Sequence, residues 1–324
     1  MTLTQEQATW FAGTFQQLSD NVGQAVLGKP EVIRLVLTAL IADGHVLLED
    51  APGTGKTQLA KALAATVQGT SSRIQFTPDL LPSDVTGIRI YDQQTHEFTF
   101  HHGPIFASIV LADEINRASP KTQSALLEVM EEGRVTIDGT AYEVGRPFLV
   151  IATQNPIEQA GTYKLPEAQL DRFLIKTSVG YPDLEAAAEV LRDTGSKNRA
   201  AALEPMITTS AVADLTALLA TVHVDDALRY YVAQLAEETR RDGSTRLGVS
   251  VRGMLAILRA AKVWAATEGR TYVIPDDIKA LAVPVWAHRL VMDPEAEFAG
   301  VEAVDVIARV LADVAAPQSR IDAA

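Results

Sequence analysis

The segment Leu47-Leu-Glu-Asp-Ala-Pro-Gly-Thr-Gly-Lys-Thr57 runs from apolar residues into two glycines, a lysine and a threonine at the spacing of a phosphate-binding loop. Pro52 opens the loop, and Gly53 and Gly55 let the backbone curl so that the amides of Gly53, Thr54, Gly55, Lys56, Thr57 and Gln58 point inward at phosphate oxygens. The N-terminus of the next helix adds positive potential. Lys56 is then placed to reach β and γ phosphates, and Thr57 to ligate Mg2+. The usual pattern begins with glycine, and Asp50 stands in that place.

Three further constellations bear on the same chemistry. Ser108-Ile-Val-Leu-Ala-Asp113-Glu114 is an apolar strand pattern ending in adjacent carboxylates, where open α/β sheets place their ligands. In a nucleoside-triphosphate hydrolase Asp113 would hold the metal and Glu114 would polarise the attacking water, which supplies what the loop lacks. Phe148-Leu-Val-Ile-Ala-Thr-Gln-Asn155 is another apolar strand with a polar end, and Asn155 is suited to bond a γ phosphate or the water, with Thr153 and Gln154 as alternatives. Two arginines stand at helix ends. Arg172 follows the short helical stretch Leu165-Pro-Glu-Ala-Gln-Leu-Asp171. Arg252 falls on the first turn of a helix capped by Ser250, a poor place for a cation unless an anion is near.

The elements that must position these residues change character along the chain. From residue 22 to 178, strand-like runs at 45–48, 109–112 and 148–152 alternate with helical patterns, as in a parallel sheet wrapped by helices. Within that stretch Ser119-Pro120 reads as an N-cap with proline at N1, and Gly133 ends the helix. Asp138-Gly139 suits the type I′ turn of a hairpin, and residues 88–100 alternate as a second hairpin. Beyond Tyr181-Pro182 the period becomes helical, over 184–192, 210–219, 225–240, 250–266, 275–290 and 301–315. The expected fold is an α/β core with two hairpin insertions over residues 1–180, N-terminal helix included, and then an all-α lid over 181–324.

With 324 residues and mean hydropathy +0.08, the composition is that of a globular protein large enough for two cores. The absence of cysteine excludes disulfides, thiol nucleophiles and thiolate metal sites, and fits a reducing cytosol. The N-terminus lacks the order of a signal peptide and no apolar run is long enough to span a bilayer, so a cytoplasmic location is expected. Net charge is −13, with 13 basic and 20 acidic residues before Tyr181 and 15 and 21 from there on. Neither part attracts nucleic acid by bulk charge.

Together and in this order, these elements resemble the MoxR family of AAA+ ATPases. The resemblance rests also on Ala25-Val-Leu-Gly-Lys-Pro-Glu31, Leu111-Ala-Asp-Glu-Ile-Asn-Arg-Ala118, Ala152-Thr-Gln-Asn-Pro156, Leu165-Pro-Glu-Ala-Gln-Leu-Asp-Arg-Phe173 and Gly269-Arg-Thr-Tyr-Val-Ile-Pro-Asp-Asp-Ile278. It implies ATP and Mg2+ as ligands, with Gly28 and Lys29 beside the adenine, Asn155 as sensor 1, Arg172 as an arginine finger offered to a neighbouring subunit and Arg252 as sensor 2. It implies a homo-oligomer, expected to be a hexameric ring, that hydrolyses ATP to remodel, assemble or load a protein client. A partner bearing a von Willebrand factor type A domain is expected, with no nucleic acid and no membrane insertion. Val251 departs from the family, which more often has proline before the sensor arginine. The competing readings are a small-molecule kinase, a magnesium-chelatase-like or nucleic-acid-directed motor, and a nucleotide-gated scaffold without hydrolysis.

Overall fold

Strands whose both faces are apolar can lie only inside a layered sheet, and three such runs form the centre of this one. β1 (Val46–Glu49), β5 (Ile109–Asp113) and β8 (Leu149–Gln154) are buried along nearly their whole length in a computed structural model that describes residues 3–51, 53–94, 96–155, 162–192 and 199–317. With β2 (Ser71–Gln75) and β9 (Ile175–Thr177) they make a five-stranded parallel sheet in the order β2-β5-β8-β1-β9. β8 therefore lies between β1 and β5, and their C-terminal ends come out side by side. Helices α1 (Gln5–Ala25), α2 (Pro30–Ile41), α3 (Lys56–Thr66) and α4 (Pro82–Thr86) alternate with the early strands. Phe76, Leu126, Leu127, Phe148 and Phe173 fill the core beneath the sheet.

The two hairpins occur where turn chemistry placed them. β3 (Gly87–Asp92) pairs with β4 (Glu97–His102), and β6 (Arg134–Ile137) pairs with β7 (Thr140–Glu143) through Asp138 (φ 51°) and Gly139 (φ 77°). They are joined to each other. The rings of Phe100 and Tyr142 lie 4.1 Å apart, and Arg89 pairs with Asp138 at 3.6 Å while its guanidinium lies 5.4 Å from the Phe98 ring centre. α5 (Pro120–Glu132) precedes the second hairpin, with the Ser119 hydroxyl accepting from the Thr122 amide and Gly133 in left-handed backbone at its end. The short α6 (Glu167–Leu170) leads into β9.

The chain packs as two compact units, one of Gln16–Thr216 and one of Met1–Phe15 with Ala217–Ala324. The boundary expected at residue 180 falls just after β9, whereas the unit that holds the sheet runs on to Thr216. It thereby takes in α7 (Leu184–Arg192) and most of α8 (Thr209–Leu219). Long-range bonds explain this. Asn21 Nδ2 donates to Thr66 Oγ1 and to the Glu204 carbonyl, and the Met206 amide donates to the Thr66 carbonyl.

The second unit is helical: α9 (Asp226–Arg241), α10 (Val251–Thr267), α11 (Pro275–Trp286), α12 (Pro294–Phe298) and α13 (Ala303–Asp313). An antiparallel pair not expected from the helical period, β10 (Thr245–Leu247) with β11 (Val291–Met292), ties α9 to the chain after α11. Position 253 on α10 has no room for a side chain. A Cβ there would meet Val249 Cγ1 at 2.8 Å, and the buried Trp286 indole donates to the Gly253 carbonyl at 2.9 Å. Among the described residues no helix is long and apolar enough to cross a membrane.

Candidate functional site

The loop between β1 and α3 curls because Gly53 (φ 85°) and Gly55 (φ 93°) adopt left-handed backbone that side chains resist. Gly55 caps α3 without a side-chain acceptor, which leaves the first-turn amides for a ligand. Lys56 Nζ donates to the Ala51 carbonyl at 2.9 Å. Pro52, expected to open the loop, lies outside the described residues.

Asp50, which replaces the usual first glycine, is 4% exposed and its carboxylate is fully engaged. It accepts from the amides of Val179 (2.7 Å) and Gly180 (2.8 Å) and from the Ser178 hydroxyl (3.0 Å). A glycine could not make this tie between the start of the loop and the end of β9. The sequence marked Asp50 only as a departure.

The sheet order brings the other candidates to the same place. Asp113, Glu114, Thr153 and Asn155 line one cavity of about 280 Å³ together with Gly53 to Gln58. Asp113 Oδ1 accepts from the Thr153 hydroxyl at 2.7 Å, and Oδ2 accepts from Arg73 Nη2 at 2.6 Å. Glu114 Oε2 accepts from Gln75 Nε2 at 2.9 Å and from Arg117 Nη1 at 3.0 Å. Arg73 and Gln75 also bond each other at 2.6 Å, so the two carboxylates are linked through β2. Glu114 itself has φ 56°, a strained conformation for a residue with a Cβ. Its amide donates to Thr153 Oγ1. Thr153, one alternative for the terminal polar role on β8, is thus occupied with the Asp113 carboxylate and the Glu114 amide, while Asn155 lines the cavity one residue beyond the strand.

Arg73, Gln75 and Arg117 were not singled out from sequence. A faint signal existed: Arg73 and Gln75 are two apart on an edge strand and so share a face, and Gln75 is in register with Asp113.

The remaining candidates lie elsewhere. Arg172 is outside the cavity lining and pairs with Glu131 at 2.9 Å. Gly28 (φ 69°) and Lys29 form the turn between α1 and α2; Lys29 Nζ donates to the Tyr181 carbonyl, and a Cβ on Gly28 would meet Ala186 Cβ at 2.8 Å. Arg252 is exposed on the first turn of α10 in the other unit, where the Ser250 hydroxyl accepts from the Gly253 amide as expected of an N-cap.

Residues 45–175 match the family described as ATPase family associated with various cellular activities (AAA), and residues 237–310 match the AAA lid domain. The chain is 48% identical to protein YeaC of Bacillus subtilis, over 93% of this chain and 94% of that one. It is 42% identical to the chaperone MoxR1 of Mycobacterium tuberculosis, over 94% and 83%. A magnesium-chelatase 38 kDa subunit of Acidiphilium rubrum is 29% identical over 83% and 91%. A crystal structure of a candidate ATPase from Cytophaga hutchinsonii superposes with a TM-score of 0.90 at 37% identity, covering 97% of this chain and 98% of that one.

Proposed function

The chain belongs to the MoxR family of AAA+ ATPases, and on that premise we propose that it is an Mg-dependent, oligomeric ATPase that remodels, assembles or loads a protein client. One observation carries this reading: the phosphate-loop amides, Lys56, Asp113, Glu114 and Asn155 converge on a single cavity. The donor set also fits the metal, since Thr57 and Asp113 offer the hard oxygen ligands that Mg2+ prefers. Bound there, Mg2+ neutralises charge on the phosphate oxygens.

The residues of this chain divide the work. Backbone amides of residues 53–58 and the Lys56 ammonium bind the phosphates. Glu114 Oε2 takes the proton of the attacking water, exchanging a bond to Gln75 or Arg117 for one to that water. Asn155 holds the water or the γ phosphate in line, Arg252 contacts the γ phosphate, and Arg172 completes the site of a neighbouring copy. Gly28 and Lys29 border the base. The chaperone name of the mycobacterial relative supports a protein client, and family likeness alone supports a partner with a von Willebrand factor type A domain.

Phosphate release from ATP and Mg2+, with no acceptor added, tests the reading. Turnover without acceptor and a loss of about a hundredfold or more in Glu114→Gln are expected. Turnover only when a small-molecule acceptor is supplied would identify a kinase instead.

A further inference from the structure

Two helix faces are left exposed, and their chemistry is complementary. On α10, Val251 and Leu255 are 64% and 60% exposed and continue at helical spacing into Leu258. Arg252, Arg259 and Lys262 run beside them, and Arg229 from α9 completes a cleft of about 450 Å³ whose lining, among the described residues, contains no carboxylate. Arg229 is also paired with Asp226 on its own helix, and the positive side chains still outnumber the negative ones around the cleft. Burial and the nearby Arg229 push the Lys262 ammonium below the usual lysine range, and its Nζ donates to the Ala220 carbonyl.

The opposite pattern lies on α7 and the residue run before it. Leu184 and Leu191, 87% and 72% exposed, are seven apart on α7 and so share one face, and Tyr181, 73% exposed, stands three residues before the helix. Glu185 and Glu189, one turn apart, lie beside that stripe.

We propose that α7 of one copy docks into the α10 cleft of a second copy, its apolar stripe against Leu255 and Leu258 and its two glutamates against Arg259 and Lys262. This deepens the oligomeric reading above and rests on it. Each chain carries one acidic and one basic face, so the contact is heterologous and repeats from copy to copy, closing if the rotation closes. Apolar area gives such a contact its strength, and the charges set its register and exclude the reversed pairing.

Sedimentation velocity with ATP and Mg2+ tests it on the full chain. Reversing α7 (Glu185→Arg with Glu189→Arg), or the cleft (Arg259→Glu with Lys262→Glu), should raise the concentration needed for association at least tenfold. All four substitutions together, or a one-to-one mixture of the two reversals, should restore it. Because the chain has no cysteine, a second measurement stands apart from charge and folding: Leu184→Cys and Leu255→Cys proteins, mixed and oxidised, should form a disulfide-linked dimer, whereas Leu184→Cys with the exposed Phe298→Cys should not. The proposal is overturned if wild type stays monomeric, if either reversal leaves association unchanged, if the fourfold swap fails to restore it in a folded protein, or if the cysteine pair does not link in preference to the control. Phosphate release measured on the same samples keeps the two readings distinct: loss of hydrolysis with intact association counts against the ATPase assignment alone.

Discussion

Lys56 and Glu114 lie in the same cavity yet would act on different states of the reaction. The lysine would contact phosphates that are present before any bond breaks, and the glutamate would act on a water that matters only as one does. Lys56→Ala should therefore abolish nucleotide binding, whereas Glu114→Gln should keep it and stop turnover; equal loss of affinity in a fluorescent-nucleotide titration would remove Glu114 from the role of base. Asp50 is tested differently. Asp50→Ala would leave the buried amide of Val179 without its acceptor, at about 1–3 kcal/mol, and the half-buried amide of Gly180 at less. A clear fall in unfolding midpoint should accompany weaker ATP binding, and an unchanged midpoint would show the tie to be idle. At this scale the phosphate loop and Asp113-Glu114 were legible because their chemistry is written in consecutive residues. Arg73, Gln75 and the Asp50 tie were not, because each depends on a partner 39 or more positions away.

Elements with a strong period were legible for the same local reason: the continuous apolar runs of β5 and β8, the capped α5, and α10 behind Ser250 all form where the pattern put them. Short or edge pieces were not. β2 alternates with mostly exposed side chains, β9 has three residues, and β10 with β11 exists only because distant segments meet. Between elements of the second unit, Asp242 at the end of α9 accepts from the Ser244 amide and from Arg309 of α13. Burial works to raise its pKa, but those bonds outweigh it and hold the carboxyl below its ordinary value of 3.8. A depressed folded-state pKa contributes stability that is complete above the unfolded value and fades as pH falls through the folded one. The unfolding midpoint of wild type should thus exceed that of Asp242→Asn by a constant margin from pH 7 to about 5, and the margin should shrink below about pH 4. A margin that widens in acid would reverse the sign and exclude the ion pair as its source.

For the molecule as a whole, local periodicity could not tell which unit would claim residues 181–216, since a helix looks the same whichever core it joins. Assembly poses a related question, because Arg172 has no place in the cavity lining of its own chain. Arg172→Ala and Glu114→Gln proteins, each inactive alone, should recover part of their hydrolysis when co-assembled, as an intact arginine then meets an intact base; no recovery at any ratio in mixed assemblies would mean that Arg172 does not act across a boundary. The paired hairpins have a mechanical side as well. A lone two-stranded ribbon is a compliant spring, but the Phe100–Tyr142 stack and the Arg89–Asp138 bridge laminate two of them into one beam. Its root is α5, a stiff rod whose other end lies six residues beyond Glu114. A displacement of the tip near Phe98 would then reach the start of α5, six residues from Glu114, through one stiff run of chain rather than through a loose ribbon.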